Sequence, residues 1–291
     1  LPLDDAVRDI ADLFFLRYKA WTPYFFFDSF FQKGLRAAQS LAAIGIAAVE
    51  KRKTAKVDPM RKDILYYLLS AKDPNTGGDL PDREVKAEAL TQMIAGSDTT
   101  GNTITHIIDM LIHHPDQYQK LREELDRAYP APLPADHVAT FTDCNDLPYT
   151  EGVIYETLRL RTTVSVGLPR VVPAGGASVC GQHFRAGTVL STPTYTTHRD
   201  PRIWGFDALE FRPERWSGPD KSELEKNFLG FSYGPRACIG RNVAFMELKK
   251  TVATIFRRFE YAAIFPEAET YIREGFHLKC QELFVFISRR E

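Results

Sequence analysis

The sequence predicts a mainly α-helical fold with a small β portion. Three observations carry this: long helix-forming stretches fill the first half, a Val-, Thr-, Gly- and Pro-rich texture sets in after Val164, and strands and helices do not alternate as a parallel sheet requires. With 291 residues, 44% hydrophobic and 26% charged, the chain has the apolar mass for a large core and the length for one large domain or two smaller ones. A net charge of -1 gives no electrostatic ground for nucleic-acid binding. Cys144, Cys180, Cys238 and Cys280 are widely spaced and form no C-x-x-C pair, which argues against a secreted disulfide scaffold or a zinc module and for reduced thiols. No signal peptide and no apolar run long enough to span a bilayer is present. The chain opens on Leu1 rather than Met and reads as a fragment or processed product.

In chain order, ten of the eighteen residues from Phe14 to Phe31 are aromatic, either packing between helices or an interfacial membrane patch. Gln32 to Lys53, rich in Ala and Leu, predicts a helix. Arg61 to Ser70 adds a further turn or two, and Asp73-Pro-Asn-Thr-Gly-Gly predicts a loop. The longest helix is expected from about 82 to 114, with apolar residues on more than one face (Leu90, Met93, Ile94, Ile107, Leu111), hence buried through the middle of the domain. Helices follow over Asp116–Ala128 and Tyr149–Leu160, separated by a Pro-rich loop. Ala177–Val179 and Thr188–Ser191 read as strands, and His198 to Lys221 as irregular. Arg241–Phe259 reads as the last helix, and the tail from His277 to Ser288 as a hairpin.

The strongest chemistry lies in Phe231-Ser-Tyr-Gly-Pro-Arg-Ala-Cys-Ile-Gly. A cysteine that binds iron does so as a thiolate, and Cys238 sits in the turn just before a helix, where backbone N–H groups and the helix dipole favour negative charge. Gly234 and Gly240 let the backbone turn tightly and approach a flat macrocycle, and Phe231 can shield the sulfur. Arg236 can reach a haem propionate through a charge-assisted bond. An isolated cysteine in a Gly-rich turn would more often be a small buried hydrophobe. The ten-residue pattern reverses that, because it resembles the haem-binding signature of the cytochrome P450 superfamily, F-x-x-G-x-R-x-C-x-G, at every specified position.

A second motif, Ala95-Gly-Ser-Asp-Thr-Thr, interrupts the long helix with residues that are poor choices for a helix interior. Gly96 removes bulk, Ala95 and Thr99 share a face, and a Thr hydroxyl beside a carboxylate can relay protons. A polar kink or helix–helix contact is the plain alternative. The hexapeptide is similar to the family's oxygen-activation motif, which implies that Thr99 delivers protons with Asp98 as its acidic neighbour, and favours monooxygenation over isomerisation.

Glu156-Thr-Leu-Arg159 places opposite charges three apart on one helix face, which alone is worth only tenths of a kcal/mol at a surface. The resemblance implies more: Glu156 and Arg159 join Arg215 of Phe211-Arg-Pro-Glu-Arg-Trp in a buried structural triad, with Trp216 for the family's Phe and Ala208 for its usual Pro. By the same resemblance Arg170, in Leu168-Pro-Arg, is a strand arginine facing a propionate.

The resemblance covers nearly the whole chain, so residues 1–291 are read as a single P450 domain: the C-terminal part of the P450 fold, N-terminally truncated. It implies haem b as cofactor, O2 as co-substrate, NADPH–cytochrome P450 reductase as electron donor, and an intact parent on the cytoplasmic face of the endoplasmic reticulum membrane. Segments such as Gly167-Leu-Pro-Arg and Val189-Leu-Ser-Thr-Pro-Thr-Tyr-Thr-Thr-His-Arg-Asp are most similar to fungal benzoate 4-monooxygenases, implying a small aromatic substrate, with Thr162 to Gly167 along the pocket wall. The competing expectation is a non-catalytic remnant of such an enzyme, and a third is a haem-thiolate isomerase. Lys249, Lys250, Arg257 and Arg258 read either as a solvated helix face or as a docking patch for an acidic reductase.

Overall fold

Proline sets the start of two central helices. Pro115 opens α4 (Pro115–Ala128) and Pro148 opens α5 (Pro148–Leu160), each at a position whose N–H needs no partner. In the computed structural model, which describes residues 29–55, 60–134 and 136–290, these follow α1 (Ser29–Thr54), α2 (Ile64–Ser70) and α3 (Asp82–Ile112). The aromatic-rich stretch lies outside the described residues, apart from the backbone of Ser29–Phe31 at the start of α1. The chain divides into two compact units, residues 1–99 and 100–291, with the boundary inside α3.

In the first unit, Ala37 and Leu41 of α1 are buried against Leu90, Met93 and Ile94 of α3. In the second, α4 turns Leu121 and Leu125 inward and α9 (Arg241–Arg258) turns in Leu248, Val252, Ala253 and Phe256, spacings that keep each set on one helical face. Both pack with Ile107 and Leu111 of α3 and with Ile154 and Leu158 of α5 in one core. Along α3, Val85, Ile107, Met110 and Leu111 are buried, while Leu90, Met93 and Ile94 stay half-buried, short of what a helix buried through the middle of the domain would show. Almost every residue of α5 from Thr150 is buried. Gly152 permits this, since a Cβ there would stand 2.6 Å from the Pro213 carbonyl oxygen.

Among the described residues the β portion is four two-stranded antiparallel sheets: β1 (Arg170–Val171) with β4 (Val189–Leu190), β2 (Ala177–Val179) with β3 (Gln182–Phe184), β5 (Phe259–Ala263) with β8 (Val285–Arg289), and β6 (Ile272–Arg273) with β7 (Lys279–Cys280). The tail is therefore not a hairpin. Its two strands pair away from each other, β7 with β6 and β8 with β5, because β5 emerges directly from α9 beside the end of the chain. Nor is 198–221 wholly irregular. It holds α7 (Pro201–Trp204), capped by the Asp200 carboxylate accepting from Arg202 N, and a 3-10 turn Pro213–Ser217. Short α6 (Thr194–Thr197) and α8 (Lys221–Asn227) complete the order, and a second 3-10 turn spans Gly234–Arg236. No helix among the described residues is long and apolar enough to cross a membrane.

Candidate active site

The cysteine loop joins α8 to α9. Its shape follows from two left-handed residues, Ser232 with φ 59° and Gly234 with φ 75°; only the second is a glycine. Gly240, by contrast, has an ordinary φ of -81° and caps α9, and a Cβ there would stand in ordinary contact with Cys238 Sγ, at 3.8 Å. The sulfur thus sits at the N-terminal end of an 18-residue helix, where negative charge is favoured. Cys238 N donates to Phe231 O at 2.8 Å, which closes the loop. The Phe231 ring packs against Phe228 and Phe245, with the Arg241 guanidinium 5.8 Å from its centre.

This loop has the chemistry of a haem cradle. The Cys238 thiol is free and exposed, Tyr233 is 80% and Ile239 91% exposed, and Arg236 has no side-chain partner among the described residues. An available soft donor, apolar side chains that water solvates poorly and an unpaired cation are what a flat, iron-bearing, dianionic macrocycle needs on one face. Arg170 lies apart on β1, its guanidinium donating to the carbonyls of Leu168 and Pro169.

Behind the loop lies a buried charge network. Glu156 accepts from Arg159 Nε (2.9 Å) and Nη2 (2.8 Å), Arg215 Nε (3.1 Å), Arg212 N (3.0 Å) and Trp216 Nε1 (2.9 Å). Arg159 also donates to the carbonyls of His198 (2.7 Å), Ala208 (2.6 Å) and Glu210 (3.0 Å). Arg215 reaches Asp207 Oδ1 at 3.3 Å. Glu156, Arg159 and Arg215 are thus brought together, and the fully buried pair is no surface ion pair. Sequence reasoning missed the indole donor on Trp216, the Asp207 counter-charge and His198; only the Arg-Trp pair itself gave a signal.

On α3, the Thr99 hydroxyl donates to Ala95 O at 2.8 Å and Asp98 is buried. A Cβ at Gly96 would meet nothing within 4 Å. These residues belong to the first unit. Of the expected pocket wall, Thr162, Thr163 and Ser165 are buried, Thr163 bonding to Thr103 and Leu278, while Val164, Val166 and Gly167 between and after them are half-buried. The basic cluster on α9 is not a free patch: Lys249 is buried on Glu151, Arg257 donates to Tyr129 O and Arg258 to His137 O.

A mainly α fold with a free cysteine at a helix N-terminus beside a buried Glu–Arg network marks the haem-thiolate class of proteins. The family model for cytochrome P450 matches residues 1–277, and the chain belongs to that family, whose cofactor is haem b. It is 42% identical over 281 residues to benzoate 4-monooxygenase bphA of Aspergillus niger, covering 94% of this chain and 53% of that protein. It is 32% identical over 235 residues to a cytochrome P450 monooxygenase of Aspergillus terreus (77% of this chain, 47% of that one), and 33% identical over 215 residues to cytochrome P450 monooxygenase eupD of a Phoma species (73% and 72%). The chain spans about half the length of the first two.

Proposed function

We propose that this chain carries the haem-thiolate portion of a monooxygenase that hydroxylates a small aromatic substrate, with benzoate at its para position as first candidate. The observation that carries the reading is the free Cys238 at the N-terminus of α9, in a chain matched by the P450 family model across residues 1–277. The 42% identity to a benzoate 4-monooxygenase supports benzoate as the first substrate to test. The overall balance is RH + O2 + NADPH + H⁺ giving ROH + H2O + NADP⁺, the electrons arriving through a flavoprotein reductase. The intact enzyme would work at the cytoplasmic face of the endoplasmic reticulum membrane.

Cys238 would ligate the iron through its sulfur, Phe231 would keep water from it, and Gly240 would leave room for the close approach. Arg236 and Arg170 would hold the two propionates. Bound haem supplies the centre at which O2 is reduced and one oxygen atom made reactive. Ala95 and Gly96 would keep their helix thin for a small ligand. Thr99 holds its hydroxyl proton on the Ala95 carbonyl, and with Asp98 beside it in sequence would serve as the proton donor for the chemistry that bound haem supplies. Glu156, Arg159 and Arg215 do no chemistry; they hold the core behind the loop.

The test is the carbon monoxide difference spectrum of the reduced, haem-loaded chain and of Cys238→Ser, followed by benzoate turnover with NADPH and reductase. A strongly red-shifted Soret band that the serine variant loses is the expected result. An unchanged band in Cys238→Ser would remove the ligand assignment. A red-shifted band without 4-hydroxybenzoate would remove the substrate alone.

A further inference from the structure

We propose that His198 is a positioning residue for the Cys238 loop: its buried ring, held in one neutral tautomer, clamps the Leu229 end of that loop to the C-terminal end of α5. Cys238 as the haem ligand is taken from the reading above.

The hydrogen bonds fix the tautomer. Leu229 N–H donates to His198 Nε2 at 2.8 Å, so that nitrogen must present a lone pair. The proton then sits on Nδ1, which faces the Arg159 carbonyl at 3.1 Å and donates to it. The ring has no exposed surface. It stacks on Phe228 at 5.2 Å and 6°, and meets Trp204 edge-on at 5.8 Å. Burial, with Arg159 and Arg199 nearby, pushes its pKa down to about 3, in keeping with a neutral ring that accepts.

From the imidazole a chain of bonds runs to the cysteine. Leu229 N is held by His198, Leu229 O accepts from Ser232 N at 2.9 Å, and Phe231 O accepts from Cys238 N at 2.8 Å. Between them Ser232 adopts φ 59°, a left-handed conformation that a side-chain-bearing residue keeps only where its surroundings over-determine it. Phe228 adds an apolar link, since its ring leans on Phe231 at 6.3 Å. At its other end the clamp is rigid: Arg159 returns a bond to His198 O at 2.7 Å, and Arg159 is locked on Glu156. His198 therefore carries the stiffness of the charge network to the loop that sets the direction and hydrogen bonding of the sulfur.

The pair His198→Gln and His198→Asn separates this role from plain core packing, because the longer Gln reaches Leu229 N with its carbonyl oxygen and Asn does not. On the haem-loaded chain, amide hydrogen exchange and the iron reduction potential are read together. The expected result for Asn, and for His198→Phe, is about tenfold faster exchange at Leu229, Ser232 and Cys238, unchanged exchange at Val153 and Ile154 of α5, and a shifted potential; Gln restores most of both. Exchange that rises uniformly through residues 100–291, or a Gln variant no better than Asn, would overturn the clamp. So would a potential that does not move. Cys238→Ser run alongside keeps the two readings apart: if it retains the parent's spectrum the ligand assignment fails, while exchange at Leu229 still judges the clamp.

Discussion

Glu156 is a carboxylate with no exposed surface, and its two oxygens accept five hydrogen bonds, from Arg159 (two), Arg212 N, Arg215 and Trp216. Burying an ion costs several kcal/mol, and only full pairing offsets it; removing one partner strands the rest. Glu156→Gln leaves two buried arginines facing a neutral amide, so it should lower unfolding free energy by about 3–5 kcal/mol, read from the urea midpoint. A loss below about 1 kcal/mol would mean that solvent reaches the network. The E-x-x-R spacing was legible in the sequence, its burial was not: what encloses Glu156 comes from residues 212, 215 and 216, more than fifty positions on. The same distance effect hid Lys249, whose partner Glu151 lies on another helix. Thr99 differs, because the role proposed for it rests on local rule-breaking inside a helix. Thr99→Ala should lower 4-hydroxybenzoate formed per NADPH oxidised by about tenfold while leaving the carbon monoxide spectrum alone. Equal coupling in the variant would end the proton-relay role.

At the scale of elements, the start of α5 shows how tertiary structure replaces a local signal. Its N-cap position is Leu147, which has no capping group. The cap comes instead from Glu124 on α4: one carboxylate oxygen accepts from Tyr149 N, the other from Thr150 N and Oγ1, each at 2.7 Å. A carboxylate at a helix N-terminus also meets the favourable end of the dipole. Glu124→Ala should therefore cost about 2 kcal/mol and lower Tm by roughly 4–8 °C, with no change in the haem spectrum. A Tm within a degree of the parent's would show that water takes over the orphaned N–H groups. The helices themselves were well marked, since Ala- and Leu-rich runs and the prolines at 115 and 148 are local signals. The tail was misread for the reason that hid this cap. Alternation marks a strand but not its partner, and here the partners of β7 and β8 lie before the loop that precedes them.

Across the second unit, interior polar groups set the response to pH as well as the shape of the site. His198 and His106 are both fully buried, and burial drives the pKa of each down from about 6.5, His198 to about 3. His106 makes one bond, Nε2 to Leu278 O at 3.2 Å, and its Nδ1 has no partner, so a second proton there would have nowhere to donate. Below pH 6.5 the unfolded chain binds protons that the folded one refuses. Stability therefore falls as pH drops from about 6.5 toward about 3, and is constant with respect to these rings above that range. Taking the ordinary histidine value for the unfolded state, His198 withdraws about 2 kcal/mol between pH 7 and pH 5, and His106 adds to the loss in the same direction. The His198 share alone is a sizeable part of the roughly 5–15 kcal/mol that holds a domain folded. Carboxylates held low by partners, such as Asp200 bonded to Arg202, titrate below this interval and leave the histidines to dominate it. Urea unfolding at pH 7 and pH 5 should show a loss of at least about 2 kcal/mol, and His198→Gln should remove about 2 kcal/mol of that pH dependence whatever it does to stability at pH 7. An unchanged pH dependence in His198→Gln would mean that the ring protonates in the folded state, and with a proton on Nε2 it could no longer accept from Leu229.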